Sequence, residues 1–174
     1  MRWLTAILVG MMLAACWATV AKATSVRPPR HIPHRVIPME TFAAFPKNWD
    51  GEDTTRTAVI RNLDDWNAVF APAVVMGDER PVAPDAAFFE KESLLAVVQV
   101  GPPAPEGKEN LSFVGTMPYG SGVTTCLDFF YIYDEPEAEE NLLVKSVLLV
   151  AIDKSCLPRF DKSINFVREP RVDL

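Results

Sequence analysis

The residues able to do chemistry are few, and most are set in a pattern that spoils it. Ser121 lies within Gly120-Ser121-Gly122, but Tyr119 stands where a nucleophile elbow needs its first glycine, and no histidine follows to act as base. His31 and His34 have the spacing of a ligand pair. Pro33 between them prevents the helix that would align them, and the chain has no other histidine, so no metal site is expected. Asp128 and Asp153 would suit a carboxylate-dependent hydrolase if a cleft brought them together with perturbed acidity. Five carboxylates between Asp134 and Glu140 could draw a cation such as calcium, yet they lack the spacing of a twelve-residue calcium loop. The expectation is therefore a non-catalytic protein with no cofactor. A small-ligand or calcium-binding domain is the alternative, and a hydrolase the remoter one.

The N-terminus points to where such a protein works. Arg2 precedes the apolar run Trp3–Val20, and Ala21-Lys22-Ala23 offers a small-x-small cleavage site, so residues 1–23 are read as an export signal. A membrane-spanning anchor would need about 20 apolar residues, and the run stops short at Lys22. Within it, Leu13-Ala14-Ala15-Cys16 has the form of a bacterial lipobox, which makes Cys16 a candidate for lipidation and would end the signal before that residue. Lipid anchor and soluble export both stay open, and a lipid would be the chain's one route to a membrane.

Loss of Cys16, by cleavage or acylation, leaves Cys126 and Cys156 as a pair in an oxidising compartment. A disulfide between them would be worth roughly 3 to 4 kcal/mol by the chain-entropy model. Without residues 1–23 the chain has 15 basic against 23 acidic residues, a net charge of −8. That sign excludes sequence-independent attachment to a phosphate backbone, so nucleic acid is not an expected partner.

The elements that must position these residues follow from periodicity. At 174 residues, 49% hydrophobic, the chain suits one domain; fifteen prolines against eight glycines favour stiff loops and strands over long helices. Residues 24–53 are read as a proline-rich tether followed by an irregular arm, and 54–170 as a single β-rich domain. Thr54–Arg61 has a strand's β-branched residues. Asn62 can cap a short helix, with Asp64 and Asp65 in its first turn and Trp66, Val69 and Phe70 on its inner face. Asp85–Glu92 is taken as a turn region. Ser93–Val100 is apolar on both sides and calls for cover on both. Asn110–Met117 alternates as a half-exposed strand, and Ser163–Arg168 makes the last one.

Two long strand patterns, Val123–Tyr133 and Leu142–Ile152, flank the acidic loop and read as a central hairpin. Asp128 would then lie diagonally across from Lys145 as an ion pair. Period-2 spacing puts Leu127, Phe129, Tyr131 and Tyr133 on one face, a candidate contact patch. The expected fold class is α+β, an antiparallel sheet of about five strands with one short packed helix.

The order of Ile37-Pro38-Met39-Glu40-Thr41, then Val59-Ile60, then Trp66–Phe70, then Asp85–Gly101 resembles the C-terminal domain of the protease-complex subunit PrcB family. Two features depart from it: Asp85 is separated from Phe88 by two alanines, and no Gly-Gly-Tyr follows around Gly101–Lys108. The resemblance implies an accessory, non-catalytic envelope protein that associates with other exported proteins, and it carries over no catalytic residue. The expected function is a binding or assembly module of the cell envelope whose partner is another exported protein.

Overall fold

A computed structural model describes residues 32–49, 53–73, 76–120, 126–136 and 142–170, all within one compact unit, His31–Leu174. The expected export signal, Cys16, His31 and Ser121 lie outside the described residues. Among those described, no helix is long and apolar enough to cross a membrane.

The fold is mostly antiparallel β-sheet with few helices. Its strands are β1 (His34–Ile37), β2 (Ala44–Pro46), β3 (Thr55–Ile60), β4 (Phe70–Pro72), β5 (Glu92–Gly101), β6 (Leu111–Tyr119), β7 (Cys126–Tyr133), β8 (Val144–Asp153) and β9 (Ile164–Glu169). Two short helices, α1 (Leu63–Val69) and α2 (Ala86–Lys91), complete it. The central sheet has the order β1-β8-β5-β3, a second sheet runs β6-β7-β9, and β2 pairs with β4. All pairs are antiparallel except β7 with β9.

The central sheet is covered on both faces because its two inner strands are apolar on both sides. Leu95, Val97, Leu148, Val150 and Ile152 face the second sheet, where Leu111, Leu127, Phe129, Tyr131 and Ile164 complete one core. Leu94, Ala96, Val98, Leu149 and Ala151 face the other way, onto Phe42, Trp66, Val69, Phe70 and Phe89. Trp66 and Phe70 stack with ring centroids 4.4 Å apart, and the Trp66 indole donates to the Val82 carbonyl at 3.1 Å. A buried tryptophan thus keeps its one donor satisfied.

Both helices begin on side-chain caps. The Asn62 carboxamide oxygen accepts from the Asp65 amide at 2.9 Å, as expected, and Asp85 accepts from the Phe88 amide at 2.7 Å. The Asp85–Glu92 turn region is therefore a capped helix. It is a single turn and a half, too short for a helical period to show in sequence.

Two further expectations change. First, His34–Ile37, read as tether, is an edge strand of the central sheet, pairing with Leu149–Ile152, and Ala44–Pro46 pairs with Phe70–Pro72. Short lengths concealed them, with Pro33 and Pro38 flanking β1 and Pro46 and Pro72 ending β2 and β4; prolines at strand ends and edges are tolerated because a missing donor costs nothing there. Second, β7 and β8 do not form a hairpin. β7 lies between β6 and β9, and β8 between β1 and β5. β8 needs apolar cover on both faces and so takes a central place, while β7 supplies that cover from the adjoining layer. Laid side by side in one sheet, the two strands would leave one core without its second wall.

Candidate functional site

β8 is ten residues long, but β1 covers just four of them. The β1 ladder runs from His34 opposite Ile152 to Ile37 opposite Leu149. Pro38 then follows, with no amide to continue the ladder, and the chain turns away through a 3-10 turn, Met39–Thr41. On the β5 side, β8 is paired along its whole length. Among the described residues, no strand pairs with Val144–Leu148 on the β1 side.

A cleft of about 360 Å³ opens along this uncovered edge. Its floor is Lys145–Leu149. One wall comes from the layer that holds the helices, with Met39, Ala44 and Phe45; the opposite wall, Ala104 and Lys108–Leu111, belongs to the side of the second sheet. Val36 and Phe45, both about half exposed at 49% and 51%, put apolar surface at the mouth. Glu40, Glu109 and Lys108 bring charges of both signs to the rim.

Both walls are fixed by hydrogen bonds. Buried Asn110 donates through Nδ2 to the Pro102 carbonyl at 3.2 Å, and its own carbonyl accepts from the Asp134 amide at 2.9 Å. Lys145 reaches the other wall. Its ammonium donates to the Pro46 and Lys47 carbonyls, each at 3.2 Å, and to Asn48 Oδ1 at 2.5 Å, and lies 5.4 Å from the centre of the Trp49 ring. Three donors are thereby used on three neutral oxygens. The turn that lines the cleft through Met39 and Glu40 is held by Arg80, whose Nη1 donates to the Glu40 carbonyl at 3.1 Å. The same guanidinium pairs with Asp78, and that hydrogen bond holds the Asp78 carboxyl down to a pKa of about 2.

The residues singled out from sequence fall elsewhere. Leu127, Phe129, Tyr131 and Tyr133 are buried between the two sheets, so they are core and not a contact patch. The half-exposed face of β7 is the opposite one, with Cys126, Asp128, Phe130 and Ile132. A period of two separates the faces of a strand without saying which one is wet.

Asp128 accepts from Asn165 Nδ2 at 2.9 Å, while Lys145 is held at the cleft wall, so the expected ion pair between them is absent. Asp128 and Asp153 stand on strands of different sheets with separate local partners. Asp153 accepts from the Ser155 hydroxyl at 2.6 Å and the Ser155 amide at 2.8 Å, and these bonds lower its pKa, the wrong direction for a general acid. Cys126 and Cys156 are both half-buried free thiols, not joined to each other. Among the described residues no group of three or more His, Cys, Asp or Glu side chains could hold a metal. Much of the acidic loop, 137–140, lies outside the described residues.

The cleft itself escaped sequence reasoning. Its one trace there is a mismatch of lengths, since a ten-residue strand apolar on both faces requires two long neighbours and the described residues supply one.

No family model matches this chain, and no curated protein or solved structure is significantly similar to it. In the fold, the motif Ile37–Thr41 is the end of β1 and the turn beside the cleft, Trp66–Phe70 spans the end of α1 and the start of β4, and Asp85–Gly101 spans α2 and β5.

Proposed function

We propose that this protein is a non-catalytic binding module of the bacterial envelope that receives a segment of another exported polypeptide in the cleft beside β8. The observation that carries the reading is the position of the cleft: it lies at the open edge of the central sheet, between an apolar wall of Met39, Ala44 and Phe45 and a polar wall of Lys108, Glu109 and Asn110. Sites that take up a partner combine apolar surface with a few fixed polar groups. The export signal and the lipobox around Cys16 supply the compartment, and the resemblance of Ile37–Thr41 and the segments after it to PrcB-type domains supplies the class of partner.

The experiment is site-specific photo-crosslinking in the native envelope. A benzophenone side chain at Phe45, at the cleft mouth, is expected to yield a discrete adduct with another exported protein. The same group at Phe160, which is 69% exposed and does not line the cleft, serves as the control. Adducts at both positions alike, or at neither, would remove the cleft as the binding site.

A further inference from the structure

Every other edge of the two larger sheets carries a device against chance pairing. β6 has a bulge between Phe113 and Gly115 and a proline at 118. β1 is four residues long and bears Arg35. β3 carries Arg56 and β9 ends in Arg168 and Glu169. Bulges, prolines, short length and charges are the recognised means of keeping edges apart. The uncovered half of β8, Val-Lys-Ser-Val-Leu, has no proline, glycine or bulge. Its single charge, on Lys145, is held on the Pro46 and Lys47 carbonyls, as Arg56 is on that of Ala68 and Arg168 on that of Tyr133, so what sets this edge apart is the want of a bulge, a proline or a short length. This edge is recessed, at the floor of the cleft of about 360 Å³.

Resting on the cleft reading above, we infer that the partner binds by strand addition, as an extended, proline-free segment that pairs with Val144–Leu148 and continues the ladder that β1 abandons at Pro38. Five residues at the strand rise of about 3.4 Å make a pairing roughly 17 Å long. The added strand runs antiparallel to β8, in the direction of β1, because that preserves the existing register and gives the better-aligned hydrogen bonds. Main-chain bonds supply affinity in this mode, and the alternate side chains supply selectivity.

The register assigns those side chains. Residues directly opposite one another project to the same face. Partner positions opposite Val147 therefore face the wall of Met39 and Phe45 and should be apolar. Positions opposite Ser146 and Leu148 face Asn110 and Leu111 and admit polar residues such as threonine. The chain's net charge of −6 favours a segment that is neutral or basic. The protein's own residues 24–33 meet the charge requirement, but Pro28, Pro29 and Pro33 would break the ladder.

The test uses a synthetic heptapeptide of alternating valine and threonine flanked by lysines, alongside the same peptide N-methylated at its central residues. Amide exchange of the isotopically labelled protein is followed by NMR. The unmodified peptide is expected to slow exchange within Val144–Leu148 about tenfold or more, and the N-methylated one to leave it unchanged. A spin label on the peptide's N-terminus should broaden signals near Pro38, and one on its C-terminus signals near Val144; the reverse would overturn the antiparallel direction. Equal binding of both peptides, seen as equal shifts at Phe45 and Leu111 without protection of β8, would overturn strand addition while leaving the cleft as a binding site. Absence of any shift at the cleft, together with failed crosslinking at Phe45, would overturn the cleft reading itself. Protection of β8 that grows with protein concentration, without peptide, would name a second copy as occupant and overturn the assignment to a foreign segment.

Discussion

The Tyr133 hydroxyl lies over Gly101, in the space a β-carbon would take. A β-carbon at position 101 would overlap Oη and stand 3.0 Å from Cζ. The hydroxyl is buried and has no hydrogen-bond partner. Gly101 is the last residue of β5 and Tyr133 the last of β7, so the contact closes the end of the core that leads to the loop forming the cleft's second wall.

Gly101→Ala is therefore expected to destabilise the protein by about 1 to 3 kcal/mol, the usual cost of overpacking. Tyr133→Phe removes an unsatisfied group without removing the ring, and should be neutral or stabilising by up to about 1 kcal/mol. The double variant should lose less than Gly101→Ala alone, because most of the overlap is with the deleted oxygen. Urea unfolding of the three variants measures this, and strict additivity would show that the two residues do not meet.

Ser93 is the second buried hydroxyl without a partner, at the start of β5 and fully enclosed. Ser93→Ala should leave stability unchanged or raise it by roughly 1 kcal/mol. Leu95→Ala, two residues along the same face, should cost about 2 to 5 kcal/mol. Midpoints of chemical denaturation separate the two, and a large loss from Ser93→Ala would mean that its hydroxyl is bonded in solution.

Burial raises the pKa of Tyr131 and of Tyr133 above 10.0, with Glu135 adding to the second and the Arg168 guanidinium, 4.9 Å from its ring centre, opposing. A pKa raised by folding contributes stability that is whole below the unfolded value and is lost as pH climbs through the folded one. Alkaline unfolding should accordingly begin above pH 10, where the unfolded chain gives up its phenolic protons first. The variant with phenylalanine at both positions should resist it. Circular dichroism from pH 9 to 12 tests this; identical onsets would assign alkaline unfolding to other groups.

Asp78 has the opposite sign. Its pKa falls from 3.8 to about 2, chiefly through the hydrogen bond from Arg80. Its contribution is present above pH 3.8 and disappears as the pH drops through about 2. The Asp78 side chain is largely covered, at 13% exposure, but its partner Arg80 is half exposed, and an ion pair open to solvent on one side should have a small effect on global stability. NMR titration should place the Asp78 midpoint near 2 and, in Arg80→Ala, move it back toward 3.8. The same variant loses the bond to the Glu40 carbonyl, and amide exchange in Met39–Thr41 should quicken with it.

Local pattern determined a good deal of this protein. Asn62, followed by two aspartates and the Trp66 face, specifies a capped helix, because capping and helical spacing act over a few residues. The two-sided apolar run of Ser93–Val100 requires a covered central strand, and β5 is one. The same run in β8 placed that strand deep in the core as well. Tertiary structure decided what lies beyond the reach of a period. Whether Leu127 and Phe129 or Phe130 and Ile132 face inward depends on what packs against β7, and alternation along one strand is blind to that. Whether β7 pairs with β8 depends on which surfaces remain to be covered once β5 and β8 are together. The cleft belongs wholly to this second kind. It exists because Pro38 ends β1 after four residues while β8 continues for ten, a difference in length between strands more than a hundred residues apart in the chain.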